Sequence, residues 1–463
     1  MAVEPMNQTT LEGSALGLTE SAVMGVAGTA PAFSIAATTA TLIAAVGVLS
    51  AGSLLYCGLI MFGVALSFMQ LNRVITNAGA SYAWVGEIFH PLLGFFAGWS
   101  LLVASAVFMV SGTIPAATAT LILINPSAVN DPASVTFVAA GWLIAVSAVL
   151  VRGIKPTSHT QLVMTGIEIG ALTLIVVAAL FRFAMQPAHP FSWQWFSLSK
   201  FTAQSFSTGA LTALFFFWGW DVTLNLNEET RNAAHTSGRS AIVSLVVVML
   251  LFILFAIVTL LTLTDNEILG AGTNVVFAVA QKIFPAPWSY MAIIAVMLSS
   301  IGTLETSILQ FTRTMYANGR DGALHPRYAI LHKHWKTPWV STLAITLFGI
   351  VLLFLSSNFS SVLLIIRDSV NAIGFQVCFY YSLAALACTW NFRKVARVSA
   401  KAFLLLFLWP LLSALFLIFI ALYSIPNFDL TTNLIGIGGI LIGIIPYGLN
   451  RHRRNTLKKR SAS

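Results

Sequence analysis

Long apolar runs separated by short polar segments make up most of the chain. A helix needs about 20 mostly apolar residues to cross a bilayer, and each run is long enough to form one. The pattern predicts twelve transmembrane helices, over residues 20–48, 52–71, 92–124, 134–151, 158–182, 206–230, 239–263, 287–312, 338–356, 360–390, 401–424 and 430–450. A further helical stretch near 274–283 is too short and too polar to cross. We therefore expect an all-α integral membrane protein.

Composition narrows the class of protein further. Of the 463 residues, 57% are hydrophobic and 8% are charged, whereas a soluble domain carries about a quarter charged residues. This excludes a soluble or disordered protein. The net charge of +9 sits in short loops rather than in a basic domain, so no nucleic-acid partner is expected. The three cysteines fall inside apolar runs without metal-ligand or disulfide spacing, and we expect no metal and no cofactor.

The basic residues orient the predicted helices. If the N-terminus is cytoplasmic, 20 of the 24 Lys and Arg residues lie inside, three lie outside, and Arg367 falls within the tenth span. Cytoplasmic loops carry such an excess, so both termini are predicted to be cytoplasmic. Residues 1–19 then form a cytoplasmic segment, and the basic tail 451–463 rests on anionic lipid head groups. Short loops and an uncleaved start favour the inner (plasma) membrane of a bacterial cell.

Two of the predicted spans contain interruptions. The first span carries two glycines and Pro31 within residues 25–31, and the sixth carries Gly219 and Asp221 within the aromatic run 215–221. Proline removes a hydrogen bond and clashes with the preceding turn, so the first helix must kink or open there. Unwound backbone at that depth is tolerated only where it lines a cavity or is buried in protein.

Paired interruptions at corresponding positions indicate the binding site of a transporter. Spans one and six are five apart, which predicts two five-helix repeats of opposite topology over residues 20–390. Two additional helices then follow in residues 391–450. The alternative is a pair of ordinary packing kinks, because Gly and Pro are frequent in membrane helices.

Three motifs carry a resemblance to a known family. Residues 313–326 read R-T-M-Y-A-N-G-R-D-G-A-L-H-P, residues 217–221 read F-W-G-W-D, and residues 228–232 read E-E-T-R-N. Together with G-T-A at 28–30, they resemble the amino acid–polyamine–organocation permeases, and the resemblance extends from about residue 15 to 390. It implies a five-plus-five inverted-repeat fold in which substrate lies between broken helices one and six.

The resemblance also implies a set of substrate-binding residues. They are Val26, Ala27, Gly28, Thr29 and Ala30 for a carboxylate, and Phe215, Phe217, Trp218, Gly219 and Asp221 on the ammonium side. Phe215 matches an aromatic gate position. An opened helix end presents unpaired N–H donors and a positive dipole end, which agrees with carboxylate binding. Ala30 and Pro31 depart from the family pattern, so a reshaped carboxylate site is expected.

Several ionisable residues lie within predicted spans, and Glu168 and Asp221 are the first two candidates. Such residues are costly in the bilayer and are functional candidates by default. Glu168 lies about ten residues into the fifth span, where some proton-coupled members of the family carry a lysine. We interpret it as a proton carrier, or else as a structural carboxyl bonded to a neighbouring backbone. Asp221 either holds the unwound segment through hydrogen bonds or contacts a cationic group on the substrate.

A second group of candidates concerns ion coupling and gating. Glu305 lies close in sequence to Ser300 and Thr303, whose hydroxyls match the region where sodium-coupled relatives bind the ion; we favour a proton over sodium. Arg367 and Asp368 are candidates for an outer gate or for an ion pair with another helix. Because neighbouring helical residues face different ways, we do not expect these two to pair with each other.

These observations favour a secondary active transporter for amino acids or related organic amines, driven by protons. The alternatives are a polyamine or cationic amine importer, an amino acid exchanger, or a sensor that binds without transport. A membrane-embedded enzyme would need a nucleophile–base pair or a ligand motif such as H-E-x-x-H within a span. The sequence contains neither.

Overall fold

The computed structural model describes residues 10–129, 131–356 and 362–451. Within these ranges the chain is helical and forms no β-strand, apart from an isolated bridge between Leu16 and Thr230. The prediction of an all-α protein is therefore confirmed. The first nine residues of the predicted cytoplasmic segment, and the basic tail from residue 452 onward, lie outside the described residues.

The first half of the chain forms eleven α-helices within the described residues. They are α1 Leu18–Gly28, α2 Pro31–Val46, α3 Ser50–Val74, α4 Ser81–Ile88, α5 Pro91–Ser111, α6 Thr113–Ile124, α7 Pro132–Val151, α8 Ile154–Phe183, α9 Ala203–Phe216, α10 Val222–Asn225 and α11 Ala233–Thr262. Short 3₁₀ turns join several of them, including Asn227–Glu229 directly after α10.

The second half continues the same pattern. Its helices are α12 Asp265–Ala271, α13 Val275–Ile283, α14 Met291–Arg320, α15 Trp339–Ser356, α16 Val362–Phe392, α17 Ala400–Phe403, α18 Trp409–Ser424, α19 Leu430–Asn433 and α20 Gly439–Leu441. The π-helical turn Leu404–Leu408 joins α17 to α18, and Leu434–Gly438 joins α19 to α20. Residues 444–451 are helical. The short helix predicted near 274–283 is α13.

Ten ranges among the described residues are long and apolar enough to cross a membrane. The first, Leu18–Val74, has 57 residues and contains the first two predicted spans. The sixth predicted span is absent from the ten because it is divided into α9 and α10. The structure thus confirms a multi-helical membrane protein, and the count of twelve crossings stays a prediction.

The helices position the two interruptions at the centre of the bundle. α1 packs against α8, α11 and α14, and α10 packs against α1, α11 and α14. α10 is entirely buried, and so is the second half of α1 from Met24 to Gly28, as expected for elements surrounded by other helices. The peripheral helices leave large apolar side chains such as Phe137, Phe181 and Phe354 exposed, a distribution typical of a lipid-facing surface.

Candidate functional site

The first interruption lies between α1 and α2. α1 ends at Gly28, Ala30 adopts a left-handed conformation with φ +48°, and Pro31 occupies the first position of α2. Proline suits that position because its missing N–H would have no partner there. The structure therefore opens the helix within the stretch in which the sequence predicted the break.

The backbone donors of this break are already occupied. The N–H groups of Thr29 and Ala30 donate to the carbonyls of Val26 and Ala27, at 3.1 and 3.0 Å. The Thr29 hydroxyl also donates to the Val26 carbonyl, at 2.7 Å. The expectation that the opened end presents unpaired donors at these positions is wrong, because the last turn of α1 tightens and uses them internally.

Glu168 and Ser299 cap the start of α2. The N–H of Ala32 donates to Glu168 Oε1 at 2.8 Å, and the N–H of Phe33 donates to the Ser299 hydroxyl at 3.2 Å. A carboxylate is favoured at a helix N-terminus by the helix dipole and by the free N–H groups. Glu168 therefore makes the contact expected of a structural carboxyl that is bonded to a neighbouring backbone.

The second interruption separates α9 from α10. α9 ends at Phe216, α10 begins at Val222, and Gly219 between them has φ +108°. A Cβ atom at Gly219 would overlap the carbonyl oxygen of Gly28, and a Cβ atom at Gly28 would overlap the carbonyl oxygen of Gly219. The two breaks therefore touch through backbone, and only glycine allows an approach this close.

Asp221 is held by two neighbouring tyrosines. The hydroxyls of Tyr380 and Tyr381 donate to Asp221 Oδ2 and Oδ1, each at 2.9 Å. The indole N–H of Trp218 donates to the Tyr380 hydroxyl at 3.1 Å. Asp221 thus fixes the unwound segment to α16, as one of the two interpretations described. Nothing in the sequence distinguishes these tyrosines beyond their place in a hydrophobic span.

Three carbonyl oxygens at the breaks are available as acceptors. Within the described residues, the carbonyls of Gly28, Phe217 and Trp218 accept no hydrogen bond, whereas that of Phe215 accepts the Trp218 N–H at 3.1 Å. The rings of Phe215 and Trp218 lie 6.4 Å apart, and Phe108 packs edge-on against Trp218 at 5.5 Å. The breaks therefore offer buried acceptors surrounded by aromatic rings, a suitable environment for an ammonium group.

The predicted ion-coupling residues take different positions. Thr303 donates its hydroxyl to the Ala27 carbonyl at 2.6 Å, so it reaches the first break. Ser300 donates to the Val296 carbonyl of its own helix. Glu305 is buried, and its Oε2 has no hydrogen-bond partner among the described residues. Glu168 and Thr303 therefore contact the first break, whereas the Ser300 hydroxyl bonds to a carbonyl of its own helix.

Comparison with known proteins decides the family. Residues 14–445 match the model of the amino acid permease family. The chain belongs to this family. The permease is 23% identical over 389 residues to the b(0,+)-type amino acid transporter 1 of Mus musculus, covering 81% of this chain and 75% of the relative.

Two other relatives extend the comparison. The serine/threonine exchanger SteT of Bacillus subtilis (strain 168) is 22% identical over 357 residues, which is 75% of each chain. The human cystine/glutamate transporter is 22% identical over 386 residues, covering 80% of the permease and 72% of the relative. The resemblance identified from the motifs is therefore confirmed at the level of the family.

Arg367 and Asp368 do pair in the permease. The Arg367 guanidinium lies 2.8 Å from Asp368 and 2.9 Å from Asp429, which precedes α19. The expectation that the first two would not pair is wrong. Their positions are about 100° apart around the helix, but the arginine side chain is long enough to bend back to its neighbour. The expected ion pair with another helix also forms, through Asp429.

Paired charges close the opposite end of the bundle. Arg313 makes two hydrogen bonds to Glu229, of 2.9 and 2.8 Å, and both side chains are buried. Arg320 contacts Glu228 at 2.9 Å. These four residues belong to two of the motifs quoted above, but the sequence analysis did not predict their pairing. They are separated by 84 residues or more along the chain.

The N-terminal segment lies across this closed end. The N–H groups of Ala15 and Leu16 donate to the Glu229 carbonyl, and the N–H of Arg231 donates to the Leu16 carbonyl at 2.8 Å. Glu12 pairs with Lys155 at 2.7 Å. Part of the segment predicted as a cytoplasmic extension is therefore bound to the bundle.

Proposed function

We propose that the permease is a proton-driven secondary transporter of amino acids or related organic amines, with substrate held between its two helix breaks. The contact of the breaks through Gly28 and Gly219 carries this proposal. The Gly28 carbonyl lies against Gly219, three residues before the first residue of α2, which supports one small molecule bound by both breaks. An amino acid has the matching ammonium and carboxylate.

The proposed architecture has twelve crossings and two inverted five-helix repeats, followed by two additional helices. The two breaks support it because they fall in the first and sixth predicted spans. Both termini are proposed to be cytoplasmic and the protein to lie in an inner (plasma) membrane, in contact with anionic lipid. The excess of Lys and Arg in the predicted inner loops supports this orientation. The Arg313 end is then the cytoplasmic end.

Glu168 supplies the proposed link between proton and substrate. Its carboxylate occupies the Ala32 N–H, which a substrate carboxylate also needs. Protonation weakens Glu168 as an acceptor, because charge-assisted hydrogen bonds are roughly twice as strong as neutral ones. A proton on Glu168 then frees the start of α2 for the substrate. In the proposed cycle, Phe215 acts as the aromatic gate, and Arg367 with Asp368 as the outer one.

A sodium ion is less well supported than a proton. A sodium site at this position would draw on break carbonyls and on hydroxyls of α14. The Thr303 hydroxyl instead donates to the Ala27 carbonyl at 2.6 Å, which engages both of these groups. The proposed driving ion is therefore a proton carried by Glu168.

Uptake into proteoliposomes tests this proposal. A panel of labelled amino acids is offered with and without an inward proton gradient, to the permease and to Glu168→Gln. The permease should take up one class faster with the gradient, and Glu168→Gln should bind that class but lose the stimulation. Glu267→Gln, which changes an exposed carboxyl in α12, is the matched control. Equal stimulation of the permease and Glu168→Gln would remove Glu168 from the mechanism.

A polyamine or cationic amine importer is the second candidate. Glu168, Asp221 and Glu305 are buried, and none of them forms a salt bridge to a basic side chain within the described residues. Three such carboxyls favour a cationic substrate. Competition separates the candidates: if the amine is the better substrate, putrescine should displace the label at lower concentrations than unlabelled amino acids do.

An amino acid exchanger is the third candidate. The Bacillus subtilis relative is named as an exchanger. Preloading the vesicles with unlabelled amino acid distinguishes exchange from net uptake. Flux that needs preloading would show exchange, and the proton step at Glu168 would then be discarded.

A further inference from the structure

Two buried oxygen atoms between α8 and α14 have no hydrogen-bond donor. They are Glu305 Oε2 and Gln161 Oε1, which lack a partner among the described residues. Glu305 is 3% exposed and Gln161 is 1% exposed. A buried polar atom without a partner is costly, and a buried charge without one is more so. Something must satisfy these two atoms.

The backbone brings the two side chains to one place. A Cβ atom at Gly302 of α14 would lie 2.5 Å from Gln161 Nε2 and 3.3 Å from Gln161 Oε1, so the Gln161 amide fills the space beside this glycine. Glu305 follows Gly302 by three residues and shares its helix face. Side chains on a helix lean towards its N-terminus. The Glu305 carboxyl therefore covers the turn against which the Gln161 amide packs.

Within the part of the chain that the structure describes, no cation compensates an ionised Glu305. Of the helices that pack on α14, α1, α2, α5, α6, α7, α10 and α15 carry no Lys or Arg, and α13 carries only Lys282, which is bound to Glu267. Arg313, two turns further along α14, is fully engaged by Glu229. Of the groups on α8, Glu168 is a second carboxyl, Lys155 pairs with Glu12 at the helix start, and Arg182 binds the Ile283 carbonyl.

The remaining charged groups near α14 do not compensate Glu305 either. Asp221 is held by two tyrosine hydroxyls, and Arg320 pairs with Glu228 and Asp321 at the far end of α14. His159, near the start of α8, is exposed, and so is Arg327 in the turn after α14. None of these groups is a counter-ion in contact with Glu305.

We propose that Glu305 holds a proton and donates it to Gln161 Oε1, which makes this pair a second proton-binding site separate from Glu168. One proton, taken up from water by the carboxylate, satisfies both orphaned atoms at once. The Gln161 Nε2 donates one of its two hydrogens to the Thr165 hydroxyl at 3.0 Å, whereas the Gln161 oxygen has no partner among the described residues and is the atom that a protonated Glu305 would satisfy.

The site extends towards Glu168 along one face of α8. Gln161, Thr165 and Glu168 are four and three residues apart, so they share that face. Glu168 lies at the break and Gln161 lies two turns nearer the Arg313 end. Protons on Glu168 and Glu305 therefore occupy successive levels between the substrate site and that end. Their use in transport rests on the proposed function, but the proton on Glu305 does not.

Infrared spectroscopy of the purified permease in lipid tests the proton directly. We expect a carbonyl stretching band of a protonated carboxyl at neutral pH that disappears in Glu305→Gln. The same band should remain in Gln161→Leu but move to higher frequency, because the carboxyl loses its acceptor. The matched control is Glu168→Gln, which should keep the Glu305 band. No difference between the spectra of the permease and Glu305→Gln would overturn the proposal.

Thermal unfolding gives a second readout. The amide of Glu305→Gln can still donate to Gln161 Oε1, so its unfolding midpoint should stay close to that of the permease. Glu305→Ala supplies no donor and should unfold at a lower temperature. A midpoint of Glu305→Gln as low as that of Glu305→Ala would count against a protonated Glu305. If Glu305→Gln does not fold, the carboxyl band of Gln161→Leu tests the proposal instead, and a band that does not shift would overturn it.

Transport assays separate this inference from the proposed function. If the Glu305 band is present but uptake by the permease ignores a proton gradient, proton coupling fails and the proton site stands. If uptake responds to the gradient but the band is absent, Glu168 alone carries the proton and the second site is wrong.

Discussion

The two ends of the helical bundle are held closed in different ways. At the Arg313 end, defined by Arg313, Glu229, Arg320 and Glu228, the central ion pair has side chains only 2% and 1% exposed. At the opposite end, Arg367 is 52% exposed and pairs with Asp368 and Asp429 near the surface. The connection from α14 through α15 to α16 places these groups on opposite sides of the bundle.

A cavity lies at the Arg367 end of the bundle. Its walls come from α2, α6, α13, α14 and α16 and include Phe33, Ile114, Phe277, Val296 and Ile366. Phe33 is the third residue of α2 and directly follows Ala32, so the cavity approaches the break. The buried Arg313–Glu229 pair, compared with the exposed Arg367 pair, indicates that this conformation is closed more firmly at the Arg313 end. The proposed transport cycle requires the buried pair there to separate.

Removing Arg313 should produce the largest effect. Arg313→Ala leaves Glu229 buried without its partner, and breaking a buried pair in this way costs about 3–5 kcal/mol. We expect a large fall in the thermal unfolding midpoint of the purified protein. The double variant Arg313→Ala, Glu229→Ala should recover part of that loss. If Arg313→Ala unfolds no earlier than Arg367→Ala, the contrast between the two ends does not hold.

A methyl group at Gly219 should disrupt the contact midway between the ends. Gly219→Ala places a Cβ atom against the Gly28 carbonyl, and overpacking of this kind costs about 1–3 kcal/mol. The strained φ of +108° adds to the cost. We expect loss of substrate binding, measured by isothermal titration with the substrate found in the uptake panel.

Gly270→Ala is the control for this substitution. Gly270 lies in α12, and a Cβ atom there would meet no neighbour within 4 Å. Its binding and stability should match those of the unmodified permease. Normal binding by Gly219→Ala would show that the close approach of the breaks is not needed for the site.

Arg367→Ala should have a much smaller effect on stability than Arg313→Ala. Exposed ion pairs are worth about 0–1 kcal/mol and are screened by salt. We expect a small shift of the unfolding midpoint that vanishes at high salt. A loss that persists at high salt would mean that the Arg367 end is held as firmly as the other.

The smallest expected effect is a pH response at Glu267, on an exposed loop helix. Its hydrogen bond to Lys282, followed by those to Thr264, lowers its pKa from 4.5 to about 2. A carboxyl whose pKa is lowered by folding stabilises the folded state at pH values above its ordinary pKa. The folded state loses this stabilisation as the pH falls from the ordinary pKa towards the lowered one. Lys282→Ala should therefore flatten the acid limb of the stability curve between pH 4.5 and 2. Identical acid limbs would contradict this.

The sequence predicted where the chain breaks more reliably than what fills the breaks. Pro31 and Gly219 act on their own backbone, so their effect is visible locally. The contact between Glu168 and the Ala32 N–H joins residues 136 positions apart, and the tyrosines that hold Asp221 lie 159 and 160 positions away. Such partners depend on helix packing, which hydropathy does not specify.

Two misjudged contacts have physical explanations. The donors of Thr29 and Ala30 are used because α1 tightens at its last turn, a local choice that composition does not determine. The pairing of Arg367 with Asp368 depends on a long side chain at an exposed helix start. An argument from helical spacing alone ignores the length of the side chain and therefore does not predict this ion pair. Gln161 was not a candidate, since a single glutamine in a span has no distinctive pattern.

The bound N-terminal segment has a consequence for biosynthesis. Ala15 and Leu16 leave the ribosome early, but their partner Glu229 is more than 200 residues later in the chain. At roughly 5–20 residues per second, the segment waits on the order of tens of seconds for that partner. Arg313, which forms the buried ion pair with Glu229, is synthesised 84 residues later still. Ala15 and Leu16 therefore reach their final place only after the chain has been made as far as Glu229 and, for the buried ion pair, Arg313.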